Sequence, residues 1–297
     1  EERTRKKQPH RFLLFSRLLF FASALHNFVD IHLMMHLKPK PGINGKSILA
    51  VVAFCLLAGC AHREAPVIAG KDMPAPEALF ERLSADTAPG KVLSGILHVT
   101  AQLPRERLAF KIAAAARRPD SLRLEDLSVI GLPDFMLTAR GDEIRMFLPR
   151  SGEFLIGTES SPDIRRIFPP GVKPLDLVFL LFGQPPAIGG AKSLKGSVDG
   201  TCSRLDVYAG GNWAQSIWVD PATGRVDRLE IADPQGKTAY RARFEDFTYA
   251  GPIAVPGRIE IETGAPATVR LSLRNPDPEL AAREDDPDLF LLKPPAK

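Results

Sequence analysis

The sequence predicts a mainly β (α+β) fold of about eleven antiparallel strands, with one helix in front and one or two short helices inserted midway. Three observations lead to it. From Lys91 onward, apolar side chains recur at every second position, the period of a strand with one buried face. The apolar runs are separated by short turn sequences rather than helical connections, the pattern of an antiparallel meander. Three segments, 77–83, 163–168 and 175–182, depart from that period and carry helix start or stop residues.

Ahead of the strands the chain falls into chemically distinct zones. The formal net charge is +4, yet residues 1–59 hold nine Lys and Arg against Glu1, Glu2 and Asp30 and so account for +6. Residues 60–297 carry −2 and have no basic footprint for a phosphate backbone, so nucleic-acid binding is not expected. Lys38, Lys40 and Lys46 precede an uncharged apolar run, 48–57, too short to span a bilayer core of about 30 Å as a helix. It reads as the h-region of a signal peptide, 35–59, leading into Leu57-Ala58-Gly59-Cys60. That tetrapeptide resembles the lipobox of bacterial lipoproteins, whose cysteine is lipidated and becomes the first mature residue. Cys60 is therefore the expected lipid attachment site. Residues 1–34 then read as an over-extended amino terminus, with Met34 or Met35 as the true start. A real membrane segment over 12–29, interrupted by Arg17 and His26, is the competing reading. Residues 60–76, rich in Ala, Pro and Gly, suit a flexible lipidated tether.

Leu79, Phe80 and Leu83 fall at helical spacing behind Pro76, a residue suited to a first helical turn. In the first strand, Leu93, Leu97, Val99 and Ala101 lie on one side, with Ser94, His98 and Thr100 opposite. Further strands are expected over 108–115, 121–129, 135–140 and 143–148, separated by turns such as Arg117-Arg118-Pro119-Asp120 and Arg140-Gly141-Asp142. Residues 163–168 suit one helical turn, and 175–182, apolar at seven of eight positions, suit a short helix between Pro174 and Gly183. Strands resume over 202–209, 213–219, 226–232, 240–249, 258–263 and 267–274. Asp220-Pro221-Ala222-Thr223-Gly224, Asp233-Pro234-Gln235-Gly236 and Thr263-Gly264-Ala265-Pro266 are the hairpin signals. Val269, Leu271 and Leu273 alternate with Arg270, Ser272 and Arg274, as in a sheet with one solvated face. Phe135-Met136-Leu137 and Met146-Phe147-Leu148 are apolar on both faces, which asks for a lid over a cavity or for a thick core.

Cysteine and histidine usage removes several chemistries. Cys55 lies in the signal and Cys60 at the lipid site, so Cys202 has no intramolecular disulfide partner after processing. Four of six histidines precede Cys60, and His62 in the tether and His98 in a strand form neither a zinc spacing nor a Ser-His-Asp set. No phosphate-binding loop, serine-hydrolase elbow or zinc-protease motif follows Cys60. The expectation is a non-enzyme without metal or cofactor.

Across about 77–293, the order of local patterns resembles the LolA/LolB lipoprotein-localisation superfamily. The likeness is carried by Ala116-Arg117-Arg118-Pro119-Asp120-Ser121-Leu122-Arg123-Leu124 before a Gly-containing loop, by Gly141-Asp142, and by the 149–157 stretch. It continues in Pro174-Leu175-Asp176-Leu177 through Leu181-Phe182-Gly183, in the 220–224 turn, and in Leu289-Phe290-Leu291. The resemblance implies an open antiparallel half β-barrel with lid helices. Together with the lipobox it points to the anchored receptor type, LolB, rather than the soluble carrier type. In that family a periplasmic LolA-type carrier hands lipoprotein acyl chains to an apolar cavity in the receptor, which releases them into the outer membrane. The cavity positions implied here are Leu97, Val99, Phe110, Ile112, Met146, Leu148, Leu177 and Phe179, and the ligands lipoprotein acyl chains or phospholipid. The family also has a protruding loop whose exposed leucine enters the bilayer. The matching segment is Val129-Ile130-Gly131-Leu132-Pro133-Asp134-Phe135, with Leu132 in that role, Ile130 as its alternative, and Phe135 beside them. The whole reads as a monomeric, lipid-anchored, periplasm-facing protein of the bacterial outer membrane; Ala61 is compatible with that sorting. The alternative is a structural or adaptor lipoprotein that keeps the fold with its cavity filled by side chains.

Overall fold

The computed structural model describes residues 73–128, 133–165, 167–190, 192–264, 268–282 and 288–295. The expected signal segment, Cys60, Ile130 and Leu132 lie outside the described residues. Helix α1 (Pro76–Ser84) begins on its proline and buries Leu79 and Leu83. Strands β1 (Lys91–Gln102), β2 (Arg107–Arg117), β3 (Ser121–Asp126), β4 (Met136–Arg140), β5 (Glu143–Leu148) and β6 (Glu153–Gly157) follow as an antiparallel meander. Two short helices, α2 (Pro162–Arg165) and α3 (Asp176–Leu181), separate it from β7 (Lys192–Asp199), β8 (Cys202–Ala209), β9 (Asn212–Val219), β10 (Val226–Ala232) and β11 (Thr238–Glu245). The hairpin β12 (Thr248–Ala250) and β13 (Ile253–Val255) precedes β14 (Arg258–Thr263), β15 (Arg270–Arg274) and β16 (Glu279–Ala282).

Each of the eleven expected strands is present, and β6, β7, β12, β13 and β16 are additional. The strand expected over 121–129 ends at Asp126, and the run expected over 240–249 divides into β11 and β12. Fourteen strands form one open sheet in the order β6-β5-β4-β3-β2-β1-β15-β14-β11-β10-β9-β8-β7, with β16 also paired to β1. The long β1 is its centre. One flank pairs with β2 along ten residue pairs, while the other pairs first with β16 through residues 91–94 and then with β15 through 98–102. At the junction the Asn275 side chain packs on Gly95 and leaves no room there for a Cβ.

Strands β6 and β7 are the two free edges, so the sheet does not close. Its inward side chains, among them Leu122, Leu137, Ile144, Leu205, Ile217, Leu229 and Ile261, form the core with α1 and α3. On the opposite face residues 288–292 cross the strands. Phe290 packs on Val92 and Ala115, Arg123 Nη1 donates to the Leu289 carbonyl at 2.8 Å, and the Leu292 N–H donates to Thr138 Oγ1 at 3.3 Å. Among the described residues no helix is long and apolar enough to cross a membrane.

Candidate functional site

Between the inward face of the sheet and the segment that joins β6 to β7 lies a concavity of about 880 Å³, open solvent at its mouth included. Strands β1 and β2 supply Leu97, Val99, Ala101, Phe110 and Ile112; β3 and β15 supply Leu124, Leu271 and Leu273. The covering side comes from Ile167, Phe168, Pro169 and Val172, and from Leu177 and Leu181 of α3. Every lining residue is apolar, so a ligand there is held by burial of hydrocarbon and by shape.

Of the eight positions expected to line a cavity, Leu97, Val99, Phe110, Ile112 and Leu177 do so. Met146, Leu148 and Phe179 do not. Met146 points inward but is packed in solid core, with Leu148 partly buried against the same core. There α2 closes on the edge strand, with Ser161 and Ile164 against Gly157, and leaves no space to line. Phe179 lies two residues from Leu177 along α3 and so points away from the face that Leu177 shares with Leu181. Phe135, expected beside the membrane-entering leucine, is only 5% exposed and lines the concavity. It sits two residues before Leu137 and follows the inward face of β4, which removes it from the side chains available to a bilayer.

The covering segment is fixed to the sheet at three places. Gly171 (φ 83°) lies against Ala239, where a Cβ would meet the Ala239 carbonyl oxygen at 3.1 Å, and Gly183 (φ 68°) ends α3 against Pro256. Between them, the fully buried Tyr240 of β11 donates its hydroxyl to Asp176 Oδ2 at 2.9 Å. The same carboxylate oxygen accepts the Lys173 N–H at 3.3 Å, and Glu159 Oε1 accepts the Leu175 N–H at 3.0 Å. Burial raises the Asp176 carboxyl to about 6, against the opposing pull of the Tyr240 hydroxyl and Lys173. Burial, with the Asp176 charge beside it, pushes the Tyr240 hydroxyl well above its ordinary value.

At the far end of α3, the Arg118 guanidinium stands 5.2 Å from the Phe179 ring centroid and donates to the Ala85 carbonyl at 2.8 Å and the Ser84 carbonyl at 3.2 Å. Gln184 Nε2 reaches the same Ala85 carbonyl at 3.2 Å. Burial lowers the Arg118 pKa, and Asp86, 3.6 Å away, opposes that shift. Arg118 thus joins the carboxyl end of α1, where free carbonyls accept a cation, to the covering helix. Local pattern marks Arg118 as a turn residue only; its guanidinium–carbonyl role depends on α1 and α3 meeting there, which no local pattern encodes.

No family model matches the chain as a sequence, and no curated protein matches it. Solved structures do. A LolA superfamily protein from Nitrosomonas europaea superposes with a TM-score of 0.55 at 12% identity, covering 74% of this chain and 99% of that one. The shared feature is the fold, an open antiparallel sheet with a few covering helices. A DUF1329 family protein from Desulfovibrio piger superposes equally well, with a TM-score of 0.55 at 12% identity over 72% of this chain and 95% of its own. At such identity the LolA-type likeness concerns the fold, and the concavity's chemistry stands on this chain's own residues.

Proposed function

We propose that this protein binds acyl chains in the concavity and acts as an outer-membrane-anchored receptor of LolB type, taking lipoproteins from a periplasmic LolA-type carrier and passing them to the membrane. The observation that carries the reading is a wholly apolar recess, open at its mouth, between an open sheet and a covering helix. Burying about ten methylenes there gains on the order of 8 kcal/mol over water. A chain so held leaves only for another apolar phase, which suits a relay between a carrier, this recess and a bilayer. Lipidation at Cys60 would hold the protein at that bilayer, and Leu132 or Ile130 would supply the insertion contact. The open recess weighs against the adaptor reading, which needs the same space filled by side chains.

Native mass spectrometry with lipid extraction, on residues 61–297 purified from the periplasm without detergent, tests the proposal. The expected result is a bound acyl-chain lipid that is lost in Leu97→Asp and in Leu177→Asp, while Phe179→Leu, outside the lining, retains it. A ligand-free protein that also takes up no lipopeptide from a loaded carrier would return the adaptor reading.

A further inference from the structure

The outward face of β1, β2 and β15 carries charges for which neither the core nor the concavity has a use. Strand register aligns Arg107, Gln102 and Arg270 in one cross-strand row, and Lys111, His98 and Arg274 in another on the same face. Arg270 is bound by Glu262 at 2.9 Å. Arg107, Lys111 and Arg274, with Arg105 in the β1–β2 turn, are exposed and make no ion pair among the described residues. Several outward cations on the other strands are matched, as in Arg204–Asp206, Arg228–Asp199, Arg241–Glu230 and Arg258–Glu245, whereas here three unpaired cations stand on adjoining strands. Glu260 of the adjoining β14 accepts the Ser272 hydroxyl at 2.6 Å, and Glu106 in the turn is the carboxylate that stands among the free cations. Residues 60–297 have a net charge of −2, so this cluster does not reflect the overall charge.

Two exposed apolar side chains border the cations. Ile96, 47% exposed, points outward one turn of the pleat from His98, and Leu127, 37% exposed, donates its N–H to the Lys111 carbonyl at 2.9 Å. A free cationic row with isoleucine and leucine beside it fits a surface that is anionic at the level of phosphates and apolar just below. We infer that this face docks on an anionic bilayer, with headgroup phosphates against Arg107, Lys111 and Arg274, and with Ile96 and Leu127 at the acyl boundary. The purpose of such docking rests on the acyl-chain reading above: Val99, Ala101 and Phe110 line the concavity from the reverse side of the same β1–β2 ladder. Docking there holds the protein beside the phase that receives its cargo, with the β1–β2 ladder between the bilayer and the recess.

The test is sedimentation with vesicles of phosphatidylcholine, with and without phosphatidylglycerol, using residues 61–297, so that neither the basic signal segment nor an acyl anchor is attached. Each cation at an anionic surface is worth roughly fivefold in partitioning, so Arg107→Gln, Lys111→Gln and Arg274→Gln together lower it on the order of a hundredfold. High salt lowers it likewise. The control pair Lys192→Gln with Lys195→Gln, on the distant edge strand β7, leaves it close to the parent value. Equal partitioning to neutral vesicles, or a triple variant that partitions like the parent, overturns the inference. Salt-sensitive binding to polyglutamate but not to the vesicles also overturns it and makes the face a site for an acidic protein. Fluorescent fatty-acid uptake on the same samples separates this inference from the cavity reading. Lost docking with intact uptake identifies the face, and intact docking without uptake by the parent sinks the cavity reading alone.

Discussion

Asp176 is the residue whose chemistry depends most on where the chain has folded. Its folded value of about 6 lies above the ordinary 3.8, so the folded state holds the proton more tightly than the unfolded one. Between pH 4 and 6 the folded form binds more protons, and this group's contribution to stability falls as pH rises. Above pH 7 the buried charge costs about 3 kcal/mol, the full value of the two-unit difference. Asn at 176 can still accept the Tyr240 hydroxyl without carrying a charge. Asp176→Asn is therefore expected to gain stability relative to the parent as pH rises from 4 to 7.5, by up to about 3 kcal/mol. Urea unfolding of both proteins across that range checks it; a difference that stays constant with pH would show that the carboxyl titrates normally. Tyr240→Phe removes the hydrogen bond that favours the charged form and should move the Asp176 midpoint above 6, read by carboxyl NMR titration.

At the scale of elements, Arg118 couples three pieces that share no strand ladder: the β2–β3 turn, the end of α1 and the covering helix α3. Arg118→Met keeps much of the aliphatic packing and removes the two donors and the ring contact. It is expected to cost about 2–3 kcal/mol and to speed amide exchange in the last turn of α1 and in α3 before the central strands respond. Uniform acceleration across the sheet would mean that Arg118 contributes to global stability without joining those elements. The sequence made much of this level legible. Alternation assigned Leu271 and Leu273 to the inward face and Arg270 and Arg274 to the outward one, and Pro76 and Gly183 marked helix ends where they stand. What period two cannot tell is which part of an inward face is filled. Leu97 and Met146 obey the same alternation, yet one meets the open recess and the other meets core sealed by α2. Edge strands were the other loss. In β7, Lys192, Lys195, Gly196 and Asp199 leave too few apolar side chains to print a period, because an edge lacks a second neighbour to pack against.

That same edge sets a problem for the whole molecule. An open sheet leaves the backbone donors and acceptors of β6 and β7 without a ladder partner, and such rows recruit other strands. The β6 edge is five residues long, and α2 packs against it. The β7 edge is longer, eight residues, with Met73 and Pro76 against Gly196 on its inner side. Lys192 stands 5.2 Å from the Phe80 ring centroid and Lys195 4.8 Å from that of Tyr208, so both lysines are held along this edge. A second copy docking antiparallel would bring its own lysines against them, and like charges set opposite each other across a strand pair are destabilising. Lys192→Val with Lys195→Val removes that barrier and raises strand propensity on the exposed ladder. Sedimentation velocity at increasing concentration should then show self-association in the double variant at concentrations where the parent stays a single species. A double variant that sediments like the parent would mean that α1 and the chain ahead of it already block the edge. Charge on β7 would then serve solubility rather than the choice between one copy and many.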